Sequence, residues 1–285
     1  MNIAILSDIH SNYTALNTCI EHALHRGIIH FIFLGDYVSD CPYPQKTMNL
    51  LYELQDKYQC WFIRGNREEY MLDYRNAGEK GWYYSSCCGC LKYTYENLTK
   101  HDLDFFEELD YKGELQIAGY PSISFCHGSL NSTRELLEKD KENTIAVLKN
   151  LDTDLLLCGH THVQGTYKYG DKTLINPGSV GVPWYYNGRT QYAILHGRYG
   201  YWEEEYIQLE YNVEKVLAEY SECGLDWKAP MWTILTQEVL KTGKDRTMSV
   251  LIRATELCRI ETGKAIWPNI PNKYWEQAAE ENGII

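Results

Sequence analysis

The chain has no long apolar run. Nothing in it approaches the ~18 consecutive apolar residues of a membrane-spanning helix, so no membrane partner is expected. It is also poor in positive charge: 27 Lys and Arg stand against 39 Asp and Glu, a net charge of −12. Non-specific binding to nucleic-acid polymers or anionic membranes needs clustered cations, and neither is expected here. A bound metal ion would still supply its own local positive charge. No basic segment leads into an apolar stretch at the N-terminus, and the first residues enter a strand at once. A cytoplasmic location is therefore the default expectation. Repeats and low-complexity tracts are missing too. The ten cysteines do not by themselves imply disulfides in such a chain. Cys19, Cys60, Cys126 and Cys158 lie in apolar segments and read as small buried hydrophobes. Cys87-Cys88-Gly89-Cys90 offers one C-x-x-C spacing without a second pair or a nearby His, so a structural role is expected.

At 285 residues, 44% hydrophobic and 23% charged, the chain can bury a large core, and ~150 residues per domain suggests about two domains. Residues 2–7 read as a buried strand. Leu16, Ile20 and Leu24, with Cys19 and Ala23, form a helical stripe from about Tyr13 to His25, which Gly27 stops. A strand at 30–34, a turn at Pro42 and Pro44, a helix from about Gln45 to Lys57 and a strand at 59–63 follow. This β-α-β-α-β alternation predicts parallel neighbours joined by crossover helices.

The aromatic-rich stretch 68–112 breaks the rhythm. It reads as a helical cap inserted over the site, or alternatively as a helical pair packed on the sheet edge; Thr99 with Asp102 marks a helix start. Strands are expected at 114–118 and 122–127, then a helix capped by Ser132 or Thr133 and another over 142–151. Strands at 155–158, 164–169, 172–176, 190–196 and 199–208 follow, mostly antiparallel from their short Gly-containing turns. From about Val213 the chain looks helical, with Trp227, Trp232, Trp267 and Trp275; this extension reads as a small subdomain or an arm for a homodimer.

Residues of metal-ligand type sit where the predicted strands end: Asp8, His10, Asp36, Asn66, His127, His160 and His162. A strand end suits a ligand because the sheet fixes the backbone while the loop exposes the side chain. Asp8-Ile9-His10 and His160-Thr161-His162 each place two ligands two residues apart, where one turn can aim both at one ion. Gly35-Asp36 and Gly65-Asn66 put single oxygen ligands after strands, with Gly permitting close backbone approach. Taken singly, Asp8 reads equally well as a helix cap and either His as an ordinary turn residue; the joint pattern is what points to metal. Mixed imidazole and carboxylate ligation suits Mn, Fe, Zn, Co or Ni better than Ca or Mg, with Mn or Fe favoured. The set exceeds the needs of one ion, whereas an Asp shared by two ions ~3.5–4 Å apart accounts for it.

This ordered set resembles the calcineurin-like metallophosphoesterase family. The resemblance rests on Asp8-Ile9-His10, Gly35-Asp36, Gly65-Asn66, His127-Gly128 and Gly159-His160-Thr161-His162, with Asn176-Pro177-Gly178-Ser179-Val180-Gly181 matching a loop of its smaller bacterial members. It covers about residues 1–210, leaving 211–285 as a helical extension. It implies an α/β (α+β) fold, a four-layer αββα sandwich. It implies one metal on Asp8, His10, Asp36 and His162 and a second on Asp36, Asn66, His127 and His160, with Asp36 bridging. The implied reaction is attack on phosphorus by a metal-bridging hydroxide, with Asn66 and Arg67 carrying transition-state charge.

Two departures narrow the substrate. Most family members follow Gly-Asn with a His that assists the leaving oxygen; here the residue is Arg67. Arg stays protonated and is a poor general acid, yet it can clamp a phosphate through two N–H groups, unless it merely pairs with Glu68, Glu69 or Asp8. A leaving group that needs no proton is therefore expected, as in a phosphoanhydride or an activated phosphodiester. In Asp36-Tyr37-Val38-Ser39-Asp40-Cys41, Cys41 replaces the Arg of the protein phosphatases, which argues against that activity. The chain looks closest to a bacterial subgroup with a Gly-Asn-Arg motif, which includes phosphodiesterases and asymmetric diadenosine tetraphosphate hydrolases. Arg134 is a candidate for a distal phosphate, and Trp184-Tyr185-Tyr186 for stacking a nucleobase. A small nucleotide-type substrate is expected; a catalytically weak metal- and nucleotide-binding regulator, or a phosphomonoesterase, is the alternative.

Overall fold

Two five-stranded mixed sheets lie face to face, each backed by helices. The computed structural model describes every residue except 266 and 269, and the backbone but not the side chain of Tyr186. In chain order the first half contains β1 (Asn2–Leu6), α1 (Tyr13–His25), β2 (His30–Phe33), α2 (Pro44–Lys57), β3 (Gln59–Phe62), α3 (Asn66–Asn76), α4 (Gly89–Glu96), α5 (Lys100–Glu108), β4 (Lys112–Leu115) and β5 (Ile123–Cys126). The second half contains α6 (Glu142–Lys149), β6 (Leu155–Leu157), β7 (Gly165–Tyr169), β8 (Lys172–Asn176), β9 (Thr190–Arg198), β10 (Tyr201–Leu209), α7 (Val213–Cys223), α8 (Leu225–Lys228), α9 (Pro230–Thr242), α10 (Thr247–Thr262) and α11 (Asn272–Glu281).

The first sheet runs β10-β9-β1-β2-β3, with β1, β2 and β3 parallel as the alternation predicts. The second runs β4-β5-β6-β8-β7. Here β6 is parallel to both neighbours, although the short turns around it suggest antiparallel ones. Its three leucines are buried on both faces, which suits a central parallel strand. The turn at Gly170 does join an antiparallel pair, but β8 inserts between β6 and β7.

Strand alternation assigns each side chain to a layer. Ile3, Ile5, Ile32, Ala193 and Leu195 meet Ile123, Phe125, Leu155, Leu157 and Ile175 between the sheets. Ala4, Leu6, Phe31, Phe33 and Ile194 face outward against α1 and α2 through Leu16, Cys19, Ile20, Met48 and Leu51. On the far side Cys126, Leu156, Cys158 and Leu174 pack with Leu148 of α6. Each fully buried Leu, Ile, Phe or Met side chain among them stabilises the fold by ~1.5–3 kcal/mol.

The insertion meets the body on two sides. Phe106 of α5 joins the outer core beside α2, while Gly89 of α4 packs against the Lys228 carbonyl of α8. The Thr99 start is a full capping box: Thr99 N donates to Asp102 Oδ2 at 2.7 Å and Asp102 N to Thr99 Oγ1 at 3.3 Å. No helix follows Ser132 or Thr133. The Ser132 hydroxyl accepts from Arg134 N inside a turn, and Thr133 Oγ1 donates to Glu69 Oε2 at 2.7 Å, so both hydroxyls are engaged away from any helix start. The C-terminal helices fold back onto the body. Met231, Leu235, Val250, Ala254, Tyr274 and Trp275 form their own core. Val216, Tyr220, Leu225, Val239 and Leu240 pack with Cys41, Cys90, Tyr93 and Val182 of the body. Among the described residues no helix is long and apolar enough to cross a membrane.

Candidate metal centre

The predicted residues converge at one edge of the sandwich. Asp8 and His10 follow β1, Asp36 follows β2 and Asn66 follows β3; His127 follows β5, and His160 and His162 follow β6. These are the C-terminal ends of parallel strands from both sheets. The loops are tied together by backbone hydrogen bonds: Asp8 N to Gly35 O (3.1 Å), His10 N to Asp36 O (2.9 Å) and Gly159 N to His127 O (2.8 Å).

The backbone here is unusual. Asp8, His10, Asp36, His160 and His162 all have left-handed φ between 49° and 65°. Such conformations cost ~1–3 kcal/mol each for residues with a side chain and persist only where surrounding structure dictates them. Gly35 (φ 90°) and Gly65 allow the two loops to touch: a Cβ on Gly65 would overlap the backbone N and Oδ1 of Asp36.

The donor atoms fall into two groups. Asp8, His10 and His162 form one, Asp36, His127 and His160 the other, with all donor atoms of a group within 4.8 Å of one another. Asp36 Oδ2 lies between them, 3.4 Å from His127 Nε2 and 3.8 Å from His10 Nε2. Asn66 Oδ1 lies 3.1 Å from His127 Nε2, beside the second group.

Their chemistry fits a cation. His162 Nδ1 donates to the Val182 carbonyl and His127 Nδ1 to the Leu34 carbonyl, both at 2.8 Å. His10 Nδ1 lies 2.8 Å from Asp40 Oδ2, a contact that requires its proton on Nδ1. With Nδ1 so engaged, each of these three rings turns its Nε2 into the site, where it can bind a proton or a metal ion. His10 Nε2 and His162 Nε2 stand only 3.2 Å apart. Asp8 Oδ1 is buried without a hydrogen-bond donor. Converging lone pairs and an orphaned carboxylate oxygen repel one another unless a positive charge lies between them.

The electrostatics agree. Burial alone would lower His10, but Asp40, Asp8 and Asp36 outweigh it and hold the imidazole up at about 9. Against the same burial penalty Asp36 and Asp8 hold His127 at about 9. Burial would raise Asp36, yet His127 and His10 bring it to about 2. His160, buried beside His127, falls to about 4. The carboxylates thus favour a positive charge on these nitrogens, and a metal ion and protons compete for it.

A ring of buried polar groups holds these loops. Glu68, fully buried, accepts from Asp36 N (2.9 Å), Tyr37 N (2.8 Å) and Gly65 N (2.9 Å). Ser179 Oγ donates to Asp8 O at 2.8 Å, and Asn176 Nδ2 to Gly159 O at 2.8 Å, which gives the Asn-Pro-Gly-Ser loop its place. Sequence reasoning offered Glu68 only as a partner for Arg67 and gave Asp40 no role. Asp40 lies in a quoted motif, but its approach to His10 requires a left-handed turn (φ 65°) that the sequence does not announce.

Arg67 lies 17% exposed at the cleft edge, its Nη2 3.0 Å from Asp40 Oδ2 and its Nε 3.8 Å from Asp36 Oδ2. Its partners are thus Asp40 and Asp36 in place of the Glu68, Glu69 or Asp8 that the sequence offered: Glu68 points inward, Glu69 accepts from Thr133, and Asp8 is engaged below. Half-exposed Arg134 lies near Glu69 and Asp73 with its guanidinium 4.8 Å from the Tyr70 ring centre, and it also lines the cleft. Trp184 stands 5.5 Å from the His162 ring, while Tyr185 is exposed and the side chain of Tyr186 lies outside the described residues. The cleft itself holds about 310 Å³, and Asp36, Asn66, His160 and His162 reach it.

Comparison with known proteins agrees with this geometry. Residues 1–199 match the calcineurin-like phosphoesterase superfamily domain. An uncharacterised protein of Methanocaldococcus jannaschii is 28% identical over 230 residues, 75% of this chain and 89% of its own length. The crystal structure of a hypothetical protein from Pyrococcus horikoshii superposes with a TM-score of 0.71 at 19% identity, covering 86% of this chain and 99% of that one. That coverage exceeds what the matched domain alone supplies, so the shared fold extends into the C-terminal segment. A metallophosphoesterase from Sphaerobacter thermophilus superposes with a TM-score of 0.62 at 22% identity, over 79% and 94% of the two chains. Family, fold and a donor set built for cations together make this chain a member of the calcineurin-like phosphoesterase superfamily, a metal-dependent phosphoesterase.

Proposed function

We propose that the protein hydrolyses a phosphodiester or phosphoanhydride bond of a small nucleotide-type substrate, such as a dinucleoside polyphosphate, using two divalent transition-metal ions. The observation that carries this reading is the place of Arg67, a fixed cation at the cleft beside Asp36 where a general acid would otherwise stand. Apart from His160 and His162, no imidazole lines the cleft among the described residues. A substrate whose leaving group needs no proton suits that site.

Asp8, His10, Asp36 and His162 would hold one ion and Asp36, Asn66, His127 and His160 the other, Mn or Fe in preference to Zn, Co or Ni. When bound, such a pair supplies a water deprotonated near neutral pH and stabilises charge on phosphorus. Asn66 and Arg67 orient the phosphoryl oxygens, Arg67 holds a positive charge against them through fixed N–H groups, and Arg134 takes a distal phosphate. The Gly65-Asn66-Arg67 motif supports a place in the subgroup of phosphodiesterases and asymmetric diadenosine tetraphosphate hydrolases. Residues 1–210 form the catalytic unit, with 68–112 as its insertion and 211–285 as a helical extension, and the protein works in the cytoplasm. A homodimer would use the exposed side of α10, where Ile252 and Ile260 face solvent.

The test is turnover by Mn-loaded protein of bis-p-nitrophenyl phosphate and diadenosine tetraphosphate against glucose 6-phosphate. Faster hydrolysis of the sugar phosphate would refute the leaving-group argument. No turnover, with tight metal and nucleotide binding, would identify a regulatory binder instead. Arg67→Ala should lower diester turnover by about 100-fold, the loss typical of removing one preorganised charge donor.

A further inference from the structure

The family domain ends near residue 199, but the cleft does not. Trp232, Thr236 and Val239 of α9 and Thr247 and Met248 at the start of α10 line it together with the metal-ligand residues. The cleft is therefore divided by chemistry. Acidic and imidazole donors with Arg67 and Arg134 supply one part, and the C-terminal segment supplies a wall in which Trp232, Val239 and Met248 alternate with Thr236, Asp245 and Thr247.

That wall is anchored to the metal site. The Trp232 indole N–H donates to Asp40 Oδ1 at 2.7 Å, while Asp40 Oδ2 contacts His10 Nδ1 and Arg67 Nη2. At the far end of α9, Tyr185 N donates to Gly243 O at 2.6 Å. Gly243 has a left-handed φ of 69°, and a Cβ there would overlap the Tyr185 carbonyl, so the helix end is locked to the loop after Trp184. Behind the wall, Leu235 is buried and the Trp232 ring meets Trp275 edge-on at 6.3 Å. The Arg67 guanidinium stands 5.8 Å from the Trp232 ring centre. A phosphate held by Arg67 therefore lies next to the Trp232 side of the cleft.

We propose that α9 and the start of α10 bind the organic group of the substrate, a planar aromatic ring such as a nucleobase, with Trp232 as the specificity-determining residue. The inference rests on the phosphohydrolase reading above and adds the part of the molecule that chooses among phosphoesters. A ring held on an indole face gains stacking that a bare sugar phosphate lacks.

The experiment measures binding of adenosine 5′-monophosphate and ribose 5-phosphate to the Mn-loaded full-length protein by calorimetry, with metal content determined in parallel. The wild type should bind the nucleotide about tenfold more tightly than the sugar phosphate. Trp232→Leu should remove that difference, and Trp232→Phe, which loses the same bond to Asp40 but keeps an aromatic ring, should keep most of it. Equal affinities in the wild type, or a preference that survives Trp232→Leu, would overturn the proposal. Should Trp232→Leu fail to fold, Met248→Asp serves instead, because Met248 is 54% exposed. It should weaken nucleotide binding selectively, and an unchanged ratio would count against the wall. Absence of turnover on every phosphoester would defeat the hydrolase reading alone, since the nucleotide preference is read from binding.

Discussion

The strand-end loops and the C-terminal helices build opposite sides of one cleft by opposite means. In the loops the backbone is strained: five candidate ligand positions adopt left-handed conformations, and buried carboxylates and imidazoles crowd together. In the helices the backbone is relaxed, and Trp275, Leu235 and Ala254 pack as an ordinary apolar core. The strained side is affordable because two sheets and the buried Glu68 over-determine it. The relaxed side can change its exposed residues at little cost to folding. Chemistry is thus fixed where geometry is rigid, and selectivity is placed where substitution is tolerated.

The largest expected effect breaks the strained side directly. Asp36→Ala removes the oxygen between the two donor groups and should abolish loading of both ions by elemental analysis, with activity down more than about 1000-fold. Retention of full activity would remove Asp36 from the centre. Glu68→Gln tests the support beneath. Its carboxylate accepts three buried backbone N–H groups, and an amide cannot accept all of them, so urea denaturation should show a loss of roughly 2–3 kcal/mol together with weaker metal binding. Comparable stability would mean that the loops do not depend on it.

The pH dependence follows from the imidazoles. With His10 and His127 raised to about 9, the metal-free site carries protons that an incoming ion must displace. Metal affinity should therefore rise between pH 6 and pH 9, by up to about tenfold per unit for each proton released, and flatten above. A pH-independent Kd would contradict this. Without metal the sign reverses: those two groups stabilise the fold below their unfolded pKa of 6.5 and lose that contribution as pH rises through about 9.

The smallest effect is a control away from both sides. Glu205 on β10 accepts from Arg26 at 2.7 and 2.9 Å and is brought down to about 2, first by that hydrogen bond. Its stabilisation is present above its unfolded value of 4.5 and fades as pH falls toward 2. The pair is partly exposed, so Glu205→Gln should cost less than about 1 kcal/mol at pH 7 and leave metal binding untouched. A larger loss would show that the sheet edge is coupled to the site.

Much of this was legible in the residues. The apolar run Ile3-Ala4-Ile5-Leu6 and the stripe of α1 yielded elements whose ends match the structure closely, because a strand buried on both faces reads as an unbroken apolar run and a helix buried on one face repeats with its own period. The ligand set was legible because each member follows an apolar strand. The insertion of β8 between β6 and β7 was not, since pairing across a sheet is decided by distant partners. Nor was the turn at Ser132, where hydroxyls suited to capping are taken by other partners.

By itself, then, the sequence determined which residues can bind cations and that strands present them together, because local periodicity and side-chain chemistry are properties of short segments. Only the tertiary structure decided that Asp40 joins His10, Arg67 and Trp232, and that the C-terminal helices close the cleft. Those contacts span up to 192 residues of chain, and no local pattern encodes a partner at that distance.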